Sequence, residues 1–133
     1  DVFEAVLPHV DLFLYDLKTI DDAVHLHTTG VSNTLILSNL AELSRRGANI
    51  RVRVPIIPRI NDDPQTNKRL GEFLASLPRP VEIELLPYHL SGTEKYRRLN
   101  RSYALEGTEP PSNGTMHAIS QILRKHGLIL YQP

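Results

Sequence analysis

Ile50-Arg51-Val52-Arg53-Val54-Pro55-Ile56-Ile57-Pro58 is the stretch whose reading decides the fold. Apolar and charged residues alternate from Ile50 to Val54, the period-two pattern of a strand with one buried and one polar face. Pro55 inside the run predicts an irregular or edge position, because proline cannot donate to a sheet ladder. The run then breaks into Pro58 and Asn61-Asp62. Two other runs follow the same grammar. Leu12-Phe13-Leu14-Tyr15 leads into Asp16-Leu17-Lys18, and Val81-Glu82-Ile83-Glu84-Leu85-Leu86 leads into Pro87-Tyr88-His89. Residues 11–17, 50–57 and 81–86 therefore read as three strands that end in polar groups.

Helix-patterned segments lie between them. A short helix is predicted over about 21–27, with Thr28-Thr29-Gly30 as its stop signal. Ser32 is the predicted N-cap of a second helix, with Leu35, Leu37, Leu40 and Leu43 on its buried side and Arg45-Arg46-Gly47 at its end. Asn61-Asp62-Asp63-Pro64 opens a third, whose apolar face is Leu70, Phe73, Leu74 and Leu77. Strand, helix, strand, helix, strand at this spacing predicts βαβ units, hence an α/β fold with a parallel sheet and right-handed crossovers. After His89 the character changes. Residues 90–111 are polar and read as a long functional or docking loop. A last helix is expected over 112–126, with Met116, Ile119, Ile122 and Leu123 inward, ended by Gly127 and followed by a short strand at Leu128–Tyr131. The chain divides into residues 1–89, three βα units, and residues 90–133, a loop, helix and short strand. Three parallel strands leave both sheet edges open, which domains usually cover or close. Neighbouring strands from a larger barrel or sheet are therefore expected, and the opening on Asp1 reads as a start inside that larger fold.

Composition bounds the function. The 133 residues suffice for one domain with a real core, and 41% hydrophobic with 23% charged residues describes a soluble globular protein. Lys and Arg together equal Asp and Glu, so charge offers no basis for nucleic acid or anionic membrane as a partner. No apolar run reaches the ~18 residues of a membrane span, and no signal peptide is visible, which makes the cytoplasm the expected compartment. The absence of Cys removes disulfides, thiolate–metal sites and thiol catalysis from this chain.

Loops after the carboxyl ends of parallel strands build active sites in α/β folds, so the three polar strand ends predict one shared pocket. Asp16 and Lys18 are two apart and point to one side of an extended strand. A carboxylate and an ammonium there can bind a zwitterionic or hydroxyl-rich ligand, or can form an exposed ion pair worth about 0–1 kcal/mol. Arg51 and Arg53 share a face; they are either solvated or held by anionic partners, as buried arginines require. His89 ends the third run beside the other candidates. His9, His25, His27, His117 and His126 lie on helices or loops and read as structural. His25 and His27 are too close for a helical i, i+4 metal pair, and no phosphate loop, nucleophile elbow or zinc spacing occurs.

Taken in order, these motifs resemble a family. Asp11–Lys18 followed by Thr29-Gly30-Val31-Ser32-Asn33, then Arg51–Pro58 with Asn61-Asp62-Asp63, then Glu84–His89 with Gly92 and Lys95-Tyr96, and finally Pro110-Pro111-Ser112, are similar to the second half of the glycyl-radical-enzyme activating enzymes. The resemblance implies the C-terminal portion of a partial (β/α)6 TIM-like barrel that binds S-adenosylmethionine against a 4Fe-4S cluster. It implies release of a 5′-deoxyadenosyl radical that abstracts hydrogen from a backbone glycine of a partner, pyruvate formate-lyase or a relative, with flavodoxin or ferredoxin as electron donor. By position, Asp16 and Lys18 resemble the pair near the ribose and the methionyl carboxylate, Arg53 an Arg in the same pocket, and His89 a His near the adenosyl part. The family's CxxxCxxC cluster loop and its Gly-Gly-Glu segment are not in this chain; the resemblance places both in an N-terminal half, so the fragment alone is not expected to catalyse. Arg59 stands where the family usually has Gly. Two other readings remain: a non-catalytic module docking a partner through residues 90–111 and the last helix, or a different (β/α) enzyme using Asp16, Lys18 and His89 for acid–base work.

Overall fold

The central strand organises everything else. In the computed structural model, which describes residues 2–89 and 107–132, β2 (Ile50–Ile56) alternates strictly between buried and half-buried positions. Ile50, Val52, Val54 and Ile56 are at most 2% exposed. They pack in one core with Leu40 and Leu43 of α3 (Thr34–Arg45), Leu70 and Leu74 of α4 (Pro64–Ala75), and Ile119 and Leu123 of α5 (Asn113–Lys125). β1 (Phe13–Asp16) and β3 (Glu82–Pro87) flank β2, and the short β4 (Ile129–Leu130) pairs with β3. All pairs are parallel and the order is β1-β2-β3-β4.

These helices share one core with one face of β2. The other face carries charge: register sets Asp16 beside Arg53 and Arg53 beside Glu84, and Leu14 beside Arg51 and Arg51 beside Glu82. A doubly wound sheet has helices on both faces, whereas a (β/α) barrel rings them outside and turns its other sheet face inward. A parallel sheet with helices on one face and charged rows on the other is an arc of a barrel. No helix among the described residues is long and apolar enough to cross a membrane.

The helix ends follow their cap residues. α2 (Asp22–Thr29) starts where the Asp21 carboxylate accepts the Val24 N–H, and Gly30, at φ 81°, closes it. Asp63 caps α4 by accepting from Thr66, with Pro64 at the first turn, and Ser112 caps α5 by accepting from Thr115.

Several expectations need correction. α3 begins one residue later than predicted: Asn33 is its N-cap residue, without a side-chain cap bond. Ser32 instead donates to the Asp22 carboxylate at 2.7 Å and accepts from the Thr34 N–H. Leu35 is 69% exposed, and Ile36, one position along, packs on the core. The N-terminal residues form a short helix, α1 (Val2–Val6), and a 3-10 turn (Leu7–His9). The predicted loop falls largely on 90–106, outside the described residues.

Pro55 is the most instructive case. It lies in the central strand, not at an edge. The β1–β2 ladder runs until the Leu17 N–H donates to the Arg53 carbonyl at 2.9 Å. In a parallel ladder the next rung would come from the N–H of residue 55. Proline has none, so the β1–β2 ladder ends there.

Candidate functional site

The register of two strands builds a charged cluster at their carboxyl ends. Asp16, the last residue of β1, stands opposite Arg53. The Arg53 guanidinium donates to Asp16 Oδ1 through Nε at 2.8 Å and through its terminal nitrogen at 2.7 Å. Lys18 Nζ donates to the other oxygen, Oδ2, at 3.1 Å. Burial pushes the Asp16 carboxyl up, but the hydrogen bonds and charges of Lys18 and Arg53 together outweigh it and hold the group below its usual range. The side chains of Asp16, Lys18 and Arg53 are 41%, 48% and 35% exposed. Ion pairs this open to solvent contribute at most about 1 kcal/mol each. Stability therefore gives little reason for the cluster, and its polar atoms remain accessible to a ligand.

One rung below, toward the amino ends of the strands, Arg51 is tied down by two partners. Its Nε and a terminal nitrogen donate to Glu82 Oε2 at 3.0 and 2.8 Å, and the Tyr131 ring stacks 3.4 Å from its guanidinium carbon. The Glu82 hydrogen bonds raise the Arg51 pKa further. Both arginines thus have anionic partners.

His89 is placed differently. The Tyr88 N–H continues the sheet by donating to the Ile56 carbonyl at 3.0 Å, and His89 follows it, exposed. Among the described residues no hydrogen bond or ion pair joins His89 to Asp16, Lys18 or Arg53. The structure thus brings three of the four candidates together. A cavity of about 410 Å³ does open on the loop after β2, lined by Pro58, Arg59, Asp62, Thr108, Glu109 and Ser112 among others. None of the four candidates is among its lining residues. A sheet arc offers one wall; enclosure needs strands facing it.

Arg59 holds a left-handed conformation, φ 66°, the shape a glycine adopts freely. The Asp62 carboxylate accepts its N–H at 2.8 Å, which anchors the turn despite the side chain.

The strand-end loops rest on three buried asparagines whose role the sequence alone did not reveal. Asn33 donates to the Thr19 and Ile20 carbonyls, both at 3.1 Å. Asn61 donates to the Lys18 and Pro55 carbonyls, and Asn67 to those of Asn61 and Asp63. For Asn61 the available signal was an amide in the loop between β2 and α4, where Asn side chains commonly close turns. His25 is also structural: it is 2% exposed, and its Nδ1 lies 2.7 Å from the Val31 carbonyl.

The chemistry of the donor set separates two cofactor questions. The chain has no cysteine, and among the described residues no three His, Cys, Asp or Glu side chains are grouped to hold a metal ion. An iron–sulfur cluster therefore does not fit the residues of this chain. A carboxylate flanked by an ammonium and a guanidinium does suit an amino-acid zwitterion carrying hydroxyls.

A one-sided parallel α/β arc with a charged cluster at the carboxyl ends of adjacent strands is a fragment of a (β/α) barrel. The chain is 32% identical, with a TM-score of 0.80, to the crystal structure of a domain of pyruvate-formate lyase-activating enzyme from Bacteroides vulgatus, covering 96% of this chain and 70% of that one. It is 40% identical over 125 residues to the choline trimethylamine-lyase activating enzyme of Oleidesulfovibrio alaskensis, covering 89% of the chain and 39% of that protein. It is 34% identical over 126 residues to the pyruvate formate-lyase 1-activating enzyme of Escherichia coli, covering 95% and 51%. No protein-family model matches. The chain belongs to the glycyl-radical-enzyme activating enzymes of the radical S-adenosylmethionine superfamily. It spans about two fifths to one half of the length of the curated relatives it matches.

Proposed function

We propose that this chain forms the nucleoside-facing wall of a radical S-adenosylmethionine activase whose whole protein acts on a glycyl radical enzyme, pyruvate formate-lyase or a relative. The observation that supports this reading is the Asp16–Lys18–Arg53 cluster, at the carboxyl ends of adjacent parallel strands, in a chain of this family. Asp16, kept ionised by its two cations, accepts hydrogen bonds from ribose hydroxyls. Lys18 offers its ammonium to the methionyl carboxylate. Arg53 holds Asp16 in place and adds positive charge to the same wall, and His89 approaches the adenosyl part from the next strand end. S-adenosylmethionine, when bound, supplies the hydrogen-atom abstraction that installs the glycyl radical. This chain has no cysteine to hold the 4Fe-4S cluster, and flavodoxin or ferredoxin is the proposed electron donor to that cluster. Reading the gene upstream of Asp1 tests the proposal. A CxxxCxxC loop within one half-barrel is expected, and an upstream region without one overturns the reading.

A further inference from the structure

Asn61 stands out among the residues around the cluster. It is 2% exposed, and its side chain makes three hydrogen bonds. Oδ1 accepts the Ile57 N–H at 2.8 Å, while Nδ2 donates to the Lys18 carbonyl at 2.7 Å and to the Pro55 carbonyl at 2.6 Å. Both amide protons are used, and the partners fix the orientation: a flipped amide would set oxygen against two carbonyls and NH₂ against an N–H. Asn61 is itself held, because Asn67 Nδ2 donates to the Asn61 carbonyl at 2.8 Å and to the Asp63 carbonyl at 2.9 Å.

The position explains the construction. The β1–β2 ladder stops at the Leu17 N–H because Pro55 has no N–H for the next rung. Lys18 thus leaves the sheet one residue beyond the last backbone bond, on a chain that bends at Ile20. The Asn61 amide bridges that gap by gripping the Lys18 and Pro55 carbonyls together. Lys18, whose side chain is 48% exposed, therefore keeps a fixed backbone from which Nζ reaches Asp16.

We propose that Asn61 is a positioning residue: by holding the Lys18 carbonyl where the β1–β2 ladder fails, it sets the geometry of the Asp16–Lys18 pair. The proposal deepens the cofactor-wall reading above and rests on it for its relevance to function.

The test uses the 133-residue chain and follows the Asp16 carboxyl by NMR titration in Asn61→Ala, Asn61→Asp, Lys18→Ala and Ser44→Ala. Ser44 is a matched control: it is 1% exposed, accepts the Arg79 N–H and donates to the Arg79 carbonyl, away from the strand ends. Asn61→Ala is expected to raise the Asp16 midpoint by at least half of the rise that Lys18→Ala produces. Asn61→Asp, which keeps the acceptor for Ile57 but sets oxygen against two carbonyls, is expected to do the same. Ser44→Ala is expected to leave the midpoint unchanged. An unmoved Asp16 in the Asn61 variants, or an equal rise in Ser44→Ala, overturns the proposal. So does failure of both Asn61 variants to fold where Ser44→Ala folds, because Asn61 would then be a global folding determinant. The titration contains no cofactor, so the S-adenosylmethionine reading and the positioning role fail or stand separately.

Discussion

Replacing Gly71 with Ala probes the helix layer that backs the sheet, and the structure predicts a change of sign. Gly71 lies inside α4, where glycine costs about 1 kcal/mol relative to alanine, so the substitution would ordinarily stabilise. Here a Cβ would meet His126 Nδ1 at 2.7 Å, Cγ at 3.1 Å and Cε1 at 3.2 Å. Comfortable contacts between such atoms lie near 3.5–4.0 Å. The imidazole is rigid, and its Nδ1 sits 2.9 Å from the Ile122 carbonyl, so moving the ring disrupts a hydrogen bond worth about 1 kcal/mol. Overpacking adds about 1–3 kcal/mol. Gly71→Ala alone should therefore destabilise the chain by about 1–3 kcal/mol. In a His126→Ala background the obstacle is gone, and the same change should stabilise by about 1 kcal/mol. Urea titration of the four members of this cycle measures both numbers, provided the m-value is constant. A stabilising Gly71→Ala in the wild-type background, or one whose effect is unaltered by His126→Ala, refutes the packing argument.

Other consequences follow from single residues. Asp16 has a folded pKa below its unfolded one, so its contribution to stability is complete above the ordinary carboxylate range and fades as pH falls through the folded value. Arg53→Met should cost about 0.5–1 kcal/mol at pH 7, a figure limited by solvent screening, and less as pH falls through the folded Asp16 value; a loss independent of pH would contradict the ion-pair account. Arg59→Gly should raise stability by about 0.5–1 kcal/mol by relieving the left-handed backbone, and a loss in thermal or urea unfolding would show that the turn is unstrained. Glu42, which hydrogen bonds from Arg45 and Arg46 lower to about 2, should return toward its ordinary range in Arg46→Ala, read by NMR titration.

The elements that sequence predicted well are those in which local and tertiary forces agree. The alternation in Ile50–Val54 becomes one buried and one charged face, Asn61-Asp62-Asp63-Pro64 leads into a helix, and the terminating glycines at 30, 47 and 127 fall where expected. The misses arise where tertiary context decides. Ser32 has the chemistry of an N-cap, but the Asp22 carboxylate takes its proton and the Asn33 N–H, so the helix starts a residue late. Leu35 is apolar, but the phase of α3 against the sheet turns it outward and Ile36 inward. Pro55 suggests an edge by local rules, yet it lies in the central strand, where the β1–β2 ladder ends beside it. For the site, residue spacing brought Asp16 and Lys18 together, whereas joining Arg53 to them requires the β1–β2 register, and Asn61 requires the three-dimensional path of Lys18 after that strand ends.

The central claim is that the Asp16–Lys18–Arg53 cluster engages S-adenosylmethionine. The most direct test is 5′-deoxyadenosine release by the whole activase under reducing, anaerobic conditions, comparing Lys18→Ala with Arg45→Ala. Arg45 is an exposed helix-end residue that pairs with Glu42, outside the strand-end wall. The account predicts a large loss with Lys18→Ala and activity at the wild-type level with Arg45→Ala; equal effects of the two substitutions would contradict it.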